Sequence, residues 1–337
     1  MPCRCGGGGP DPPPIKAASR VNGFIGIDLG GTQLRVAVAD ARGTVKSVIR
    51  VDTEARRGPD HVIDHIVETI DRALAKSKQG RRGVAAIGIG LPGPLNGATG
   101  MVYSPANLPG WHNVPLGKIL TRRTGIRTFL EHDASLAAFG EWRRGAGKGR
   151  RHMAYVTVST GIGAGFILQG QLYRGAGGIA GELGHIVIQP GGPLCTCGNR
   201  GCLEALASGT AIARMARDAV AGRARTSLRG LEGPNRPDAR DVNQAAKRGD
   251  AVARRVLDQA GTALGVGLGT LVNLLNPELI LLGGSVMKAG GLIRTPMKAS
   301  MKASSWEAAR GGLRIVPPAL GQDVGLIGAV EWARDNV

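Results

Sequence analysis

Apolar residues occur along this chain in short bursts, most of them ending in glycine or threonine. Residues 23–28 (Gly-Phe-Ile-Gly-Ile-Asp) read as a strand that runs into a turn. Residues 34–39 alternate well enough to be its hairpin partner, and 45–51 supply a third strand. Between 61 and 74 the period changes: Val62, Ile66, Ile70 and Leu74 share one helical face. Residues 84–89 read as a buried strand leading into a Gly90-Leu-Pro-Gly93 loop. Another strand closes at Phe129-Leu130, and Asp133 is placed to cap a helix that runs through Trp142.

The second half repeats the theme. Residues 153–159 form an apolar strand, Thr160-Gly-Ile-Gly-Ala-Gly165 reads as a turn, and 166–168 as a returning strand. A helix follows around 210–220, then a polar link near 229–241 and a long helix ending near Leu275. The strand 279–282 leads into Gly283-Gly284-Ser285, and 323–334 reads as a closing helix. The pattern predicts an α/β protein with one strand–turn–strand unit in each half. Two such hairpins facing across a cleft can grip a phosphate chain from both sides.

Composition narrows the partners. The 337 residues carry 43 Lys+Arg against 25 Asp+Glu, a formal charge of +18. The basic residues fall in scattered pairs such as Arg81-Arg82 and Arg150-Arg151, and only 3% of residues are aromatic. A base-stacking nucleic-acid surface is therefore not expected. The longest apolar run, near 263–275, is broken by Thr270 and Asn273 and is too short for a membrane span. Residues 1–21, rich in Gly and Pro and holding Cys3 and Cys5, read as a disordered tail. With no secretory segment and few cysteines, a cytoplasmic protein is expected.

Three motifs carry chemistry, and a fourth matches a known pattern only formally. His185, Cys195, Cys197 and Cys202 lie within eighteen residues, the ligand set of a closed tetrahedral zinc site that holds structure. Glu182 and Glu204 flank it, held there for another purpose. Asp28-Leu-Gly-Gly-Thr32 follows a strand; Gly30 and Gly31 let backbone N–H groups approach phosphate oxygens, Thr32 adds a hydroxyl, and Asp28 can hold Mg²⁺. Glu131-His132-Asp133 aims a carboxylate from a strand-to-helix junction. Gly88-Ile-Gly-Leu-Pro-Gly93 matches G-x-G-x-x-G formally, but Pro92 and Pro94 oppose the helix a dinucleotide site needs.

These motifs, in this order from about residue 22 to the C-terminus, resemble the ROK family of repressors, open reading frames and sugar kinases. The resemblance implies an actin-like ATPase (ribonuclease H-like) fold with two lobes around a nucleotide and sugar cleft. The first lobe would span 22–135 and be joined by the closing helix 323–337; the second would span 136–322 and carry the zinc loop. Asp28, Gly30, Gly31 and Thr32 correspond to the first phosphate motif, and Thr160, Gly161 and Gly163 to the second. Gly283 and Gly284 correspond to the adenosine motif. Asn107, His132, Glu182, His185 and Glu204 correspond to sugar ligands and Asp133 to the catalytic base. ATP, Mg²⁺ and structural Zn²⁺ are the implied cofactors, and a homo-oligomer the implied assembly.

Two positions depart from the family pattern: His132 stands where Asn is usual and Gln33 where many kinases carry Lys. The expected activity is phosphorylation of a hexose by ATP, with glucose as acceptor through its 6-hydroxyl. N-acetylglucosamine, N-acetylmannosamine, mannose and fructose are the alternative acceptors. A sugar-responsive regulator is the reading from another class, for which the short Gly/Pro-rich segment before residue 22 offers no three-helix DNA reader.

Overall fold

The computed structural model describes residues 23–337 except 106, 232, 234 and 235. The expected tail, with Cys3 and Cys5, lies outside the described residues. In chain order the first half contains β1 (Gly23–Leu29), β2 (Gln33–Asp40), β3 (Val45–Asp52), α1 (Pro59–Ser77), β4 (Val84–Leu91), β5 (Leu95–Asn96), β6 (Met101–Val102), α2 (Leu116–Thr124), β7 (Arg127–His132) and α3 (Asp133–Arg144). The second contains β8 (Met153–Val158), β9 (Ile162–Leu168), β10 (Gln171–Tyr173), α4 (Leu203–Ala207), α5 (Gly209–Ala221), α6 (Ala239–Lys247), α7 (Ala251–Leu275), β11 (Leu279–Gly283), α8 (Gly291–Ser304), β12 (Arg314–Val316) and α9 (Val324–Asp335).

Two five-stranded sheets share one topology. The first runs β3-β2-β1-β4-β7 and the second β10-β9-β8-β11-β12. In each, the first three strands form an antiparallel meander and the last two add in parallel. Strand alternation gives each sheet two apolar faces. Ile25, Ile27, Val36, Ile87 and Ile89 pack with Ile66 and Ile70 of α1. The opposite face, through Phe24, Ala37 and Ala86, receives Leu326 and Val330 of α9. In the second sheet Val156, Ala164 and Ile280 pack with Leu264 and Leu268 of α7, and Tyr155, Ile167 and Leu281 with Ala137 and Ala138 of α3.

Helices α3 and α9, each lying on one sheet, cross one another with their backbones nearly touching. A Cβ on Gly328 would lie 1.9 Å from the Leu136 carbonyl, so only glycine fits there. Arg144 Nε donates to the buried Glu331 carboxylate at 2.7 Å beside this crossing.

Several expected elements shift. Strand β4 continues past Ile89 through Gly90 and Leu91, so the loop starts after Leu91. A Cβ on Gly88 would meet the Ala329 carbonyl at 2.0 Å, so this glycine lets α9 lie on the sheet. Strand β9 begins at Ile162, which shortens the expected turn, because ladder pairing continues to Val158 opposite Ile162. The polar link ends earlier, since Asp238 and Asp241 form a capping box that starts α6. Helices α2, α4, α6 and α8 join the predicted set. Among the described residues no helix is long and apolar enough to cross a membrane.

Candidate active site

The first turn is held by its own backbone. Gly30 N donates to Gln33 O at 2.9 Å, and Thr53 Oγ1 donates to Gly30 O at 2.6 Å. Gly31 lies against the main chain of Asn107, where a Cβ would come within 2.6 Å of the Asn107 carbonyl oxygen. The exposed Asn107 and the first turn therefore share one rim. Asp28 sits one residue before the end of β1, directly opposite Arg35 of β2. Arg35 Nη2 approaches its carboxylate to 3.3 Å, while Arg35 Nη1 donates to Gln322 O at 2.7 Å. Burial pushes the Asp28 carboxyl up to about 6; Arg35 opposes the rise, and the charges of Asp133 and Asp323 add to it. Asp28 pairs with Gly90 of β4, and a Cβ on Gly90 would lie 3.7 Å from the Asp133 Cα, so the two carboxylates belong to neighbouring parts of the first sheet.

Parallel pairing of β7 with β4 sets Glu131 opposite Gly90 and His132 opposite Leu91. The chain then turns directly into α3. The extended His132 (φ −64°, ψ 139°) occupies the cap position, and Asp133 is the first helical residue. The expected cap is therefore one residue out of place: Asp133 Oδ1 accepts from the adjacent Ala134 N at 2.6 Å. Its side chain is 47% exposed and lies 3.3 Å from His132 Nδ1. His132 Nε2 is 3.9 Å from one oxygen of Glu182, and the other lies 3.8 Å from His185 Nε2. Asp133, His132, Glu182 and His185 form a continuous polar row from the first sheet to the cysteine loop.

In that loop the ligand atoms of His185, Cys195, Cys197 and Cys202 all lie within 4.8 Å of one another. Cys197 Sγ and Cys202 Sγ are 3.7 Å apart, and Cys195 Sγ is 3.6 Å from His185 Nδ1. Tetrahedral bonds of 2.3 Å to sulfur and 2.0–2.1 Å to nitrogen give edges of about 3.8 and 3.6 Å, so the donor set fits zinc. Ligation through Nδ1 leaves Nε2 facing Glu182. Cys195 N donates to Asn199 O and Gly201 N to Pro193 O, which folds the loop before any ion is considered.

The second turn comprises Ser159, Thr160 and Gly161. Gly163 falls inside β9 opposite Thr157 and packs near Ala134, since its Cβ would lie 3.2 Å from the Ala134 Cβ. Glu204, two residues beyond Cys202, accepts from Ile162 N at 2.8 Å and straps the cysteine loop to this turn. Gly284 adopts φ 100°, and a Cβ there would meet the Val158 main chain at 2.2 Å. Ser285 N then donates to Ser159 Oγ at 3.1 Å, bringing the Gly283-Gly284 segment beside the second turn. Thr210 Oγ1 donates to Thr160 O at 2.8 Å from the first turn of α5. Sequence reasoning missed Arg35 and Thr210; the hairpin register set by Gly30 and Gly31 was the available signal for Arg35.

Two sheets of one topology, each built on a strand–turn–strand unit, define an actin-like ATPase fold. The chain belongs to the ROK family, whose profile matches residues 24–336. It is 36% identical over 315 residues to a glucokinase of Thermotoga maritima, covering 93% of this chain and 98% of that protein. The crystal structure of a ROK family glucokinase from Streptomyces griseus, in complex with glucose and AMPPNP, superposes with a TM-score of 0.78. That match has 32% identity and covers 93% of this chain and 100% of that one. A xylose repressor of Caldicellulosiruptor bescii is 29% identical, over 91% of this chain and 77% of the repressor.

Proposed function

We propose that this protein transfers the γ-phosphoryl group of ATP to a hexose, with glucose as the acceptor and its 6-hydroxyl as the nucleophile. The observation that carries the reading is the half-exposed Asp133 carboxylate. It stands at the end of the His132–Glu182–His185 row, near Asp28 at the end of β1. The glucokinase relatives supply the substrate class.

Asp133 takes the proton of the sugar hydroxyl as its oxygen attacks phosphorus in line. Asn107, His132, Glu182, His185 and Glu204 bind sugar hydroxyls and orient the acceptor. His132 has donors and acceptors for this task, as the more usual Asn does. Backbone N–H groups of Gly31, Thr32, Thr160 and Gly161 meet the phosphates, with Gly30 shaping the first turn through its bond to Gln33 O, Gly163 supporting the second turn and Gly283 and Gly284 flanking the adenosine. Asp28 would hold Mg²⁺, which neutralises phosphate charge when bound. Zinc on His185 and the three cysteines would stiffen the loop that aims Glu182 and Glu204. The two sheets act as lobes, 22–135 with 323–337 and 136–322, that close on the sugar and exclude water. A cytoplasmic location, where thiol ligands stay reduced, and a dimer or tetramer belong to the same reading.

A coupled ADP-release assay with Mg·ATP and a panel of hexoses and N-acetylhexosamines tests it. Turnover strongest with glucose supports the reading; preference for another sugar reassigns the acceptor. No sugar-dependent turnover by zinc-replete protein refutes the kinase.

A further inference from the structure

The glycine-rich segment 174–182 joins the second sheet to the sugar-binding row, and its two ends meet consecutive residues of the first. At one end His132 Nε2 lies 3.9 Å from Glu182. At the other, Arg174, the residue after β10, reaches Glu131 with Nη1 3.9 Å from Oε2. The Glu131 side chain is 2% exposed. Its Oε1 accepts from the His132 backbone N at 2.9 Å, whereas its buried Oε2 has no hydrogen-bond partner. A buried carboxylate oxygen left without a donor is costly, so its placement needs a reason. The Arg174 guanidinium also lies over the Trp332 ring of α9, 5.2 Å from its centroid. Arg174 therefore spans from the second sheet to β7 and α9 on the first. A charge-assisted N–H···O bond measures about 2.8 Å, so roughly 1 Å of approach would turn this contact into a bonded pair.

We propose that Glu131 and Arg174 are positioning residues that clamp segment 174–182 across the cleft when the sugar binds. The inference rests on the kinase reading above. Closure brings Arg174 onto the waiting Oε2 while Glu182 closes toward His132. Because Glu131 is bonded to the His132 backbone, the clamp also steadies the strand end that delivers Asp133. Sugar held at Glu182 is thereby coupled to the placement of the base.

The test is a double-mutant cycle with Glu131→Gln, Arg174→Met and the pair combined, with Arg174→Lys as the charge-preserving variant. Steady-state kinetics give kcat and the KM for ATP and for sugar, and thermal unfolding without sugar reports the fold. Each single variant is expected to lower kcat about tenfold with an unchanged KM for ATP, and the double variant to fall no further than either alone. Arg174→Lys recovers part of the loss. The sugar-induced change in tryptophan fluorescence, measured without ATP, shrinks in both single variants because Trp332 lies under Arg174. Wild-type kcat in either single variant, or losses that multiply in the double variant, would overturn the clamp. Wild-type turnover tests the kinase reading separately, and the ATP-free fluorescence measurement tests the clamp even if that reading fails.

Discussion

Replacing Asp28 by Asn should make the nucleotide-free protein more stable while impairing its chemistry. Burial raises the Asp28 carboxyl from its ordinary 3.8 to about 6, net of the opposing Arg35 guanidinium. At about 1.4 kcal/mol per pH unit, keeping this group ionised in the folded state costs about 3 kcal/mol above pH 6. The sign follows from linkage: the folded form binds the proton more tightly than the unfolded chain, so this cost fades as pH falls from about 6 to 3.8. Asn removes the ionisation and leaves Arg35 its 2.7 Å bond to Gln322 O. Because the shift already includes the attraction of Arg35, the expected net stabilisation is about 3 kcal/mol at pH 8. Urea unfolding without nucleotide or Mg²⁺ measures it at pH 8, 6 and 4. The variant should exceed the wild type at pH 8, and the gap should close toward pH 4. A variant no more stable than the wild type at pH 8, or a gap independent of pH, would refute the reasoning. Turnover should fall in the same variant, as expected of a carboxylate kept in an unfavourable place for metal and phosphate.

Asp133→Asn should lower kcat by ~10²–10⁴-fold while leaving the unfolding midpoint almost unchanged, because the side chain is half exposed; near-normal turnover would remove Asp133 as the base. Cys202→Ser, at a fully buried ligand position, should abolish stoichiometric zinc measured by elemental analysis. It should also raise the sugar KM about tenfold or more while sparing the KM for ATP, if the ion aims Glu182 and Glu204. Gly328→Ala places a methyl 1.9 Å from the Leu136 carbonyl and must push α3 from α9. A loss of about 1–3 kcal/mol or more is expected by urea unfolding, and an unchanged midpoint would contradict the close crossing.

Much of this protein was legible in its sequence because the informative signals are local. The four zinc-type ligands fall within eighteen residues, and the structure brings their donor atoms within 4.8 Å of one another. Two-residue alternation on either side of Gly30 and Gly31 specified the first hairpin, and with it the register that sets Arg35 against Asp28. The α1 face read from Val62, Ile66 and Ile70 is the face that packs on the first sheet.

Other features depended on residues distant in sequence. Gly90 reads as loop because glycine carries no side chain to mark a strand face; the reason Gly88 and Gly90 are glycine lies in α9 and α3, which pack against them. Helix α8 went unread because it contains Pro296, which by propensity ends a helix. Packing of Ile293 and Met297 into the core shared with α7 outweighs that preference. The amphipathic character of α9 says that one face is buried, but not that it lies on the first sheet, nearly three hundred residues away in sequence. The approach of Arg174 to Glu131 likewise has no local signature. Periodicity and ligand spacing record what a segment needs to bury or bind, so the chain itself determined its hairpins and its histidine–cysteine loop. Which surfaces meet depends on mutual shape and on the backbone contacts glycine permits, so only the tertiary structure decided how α3 and α9 join the two sheets.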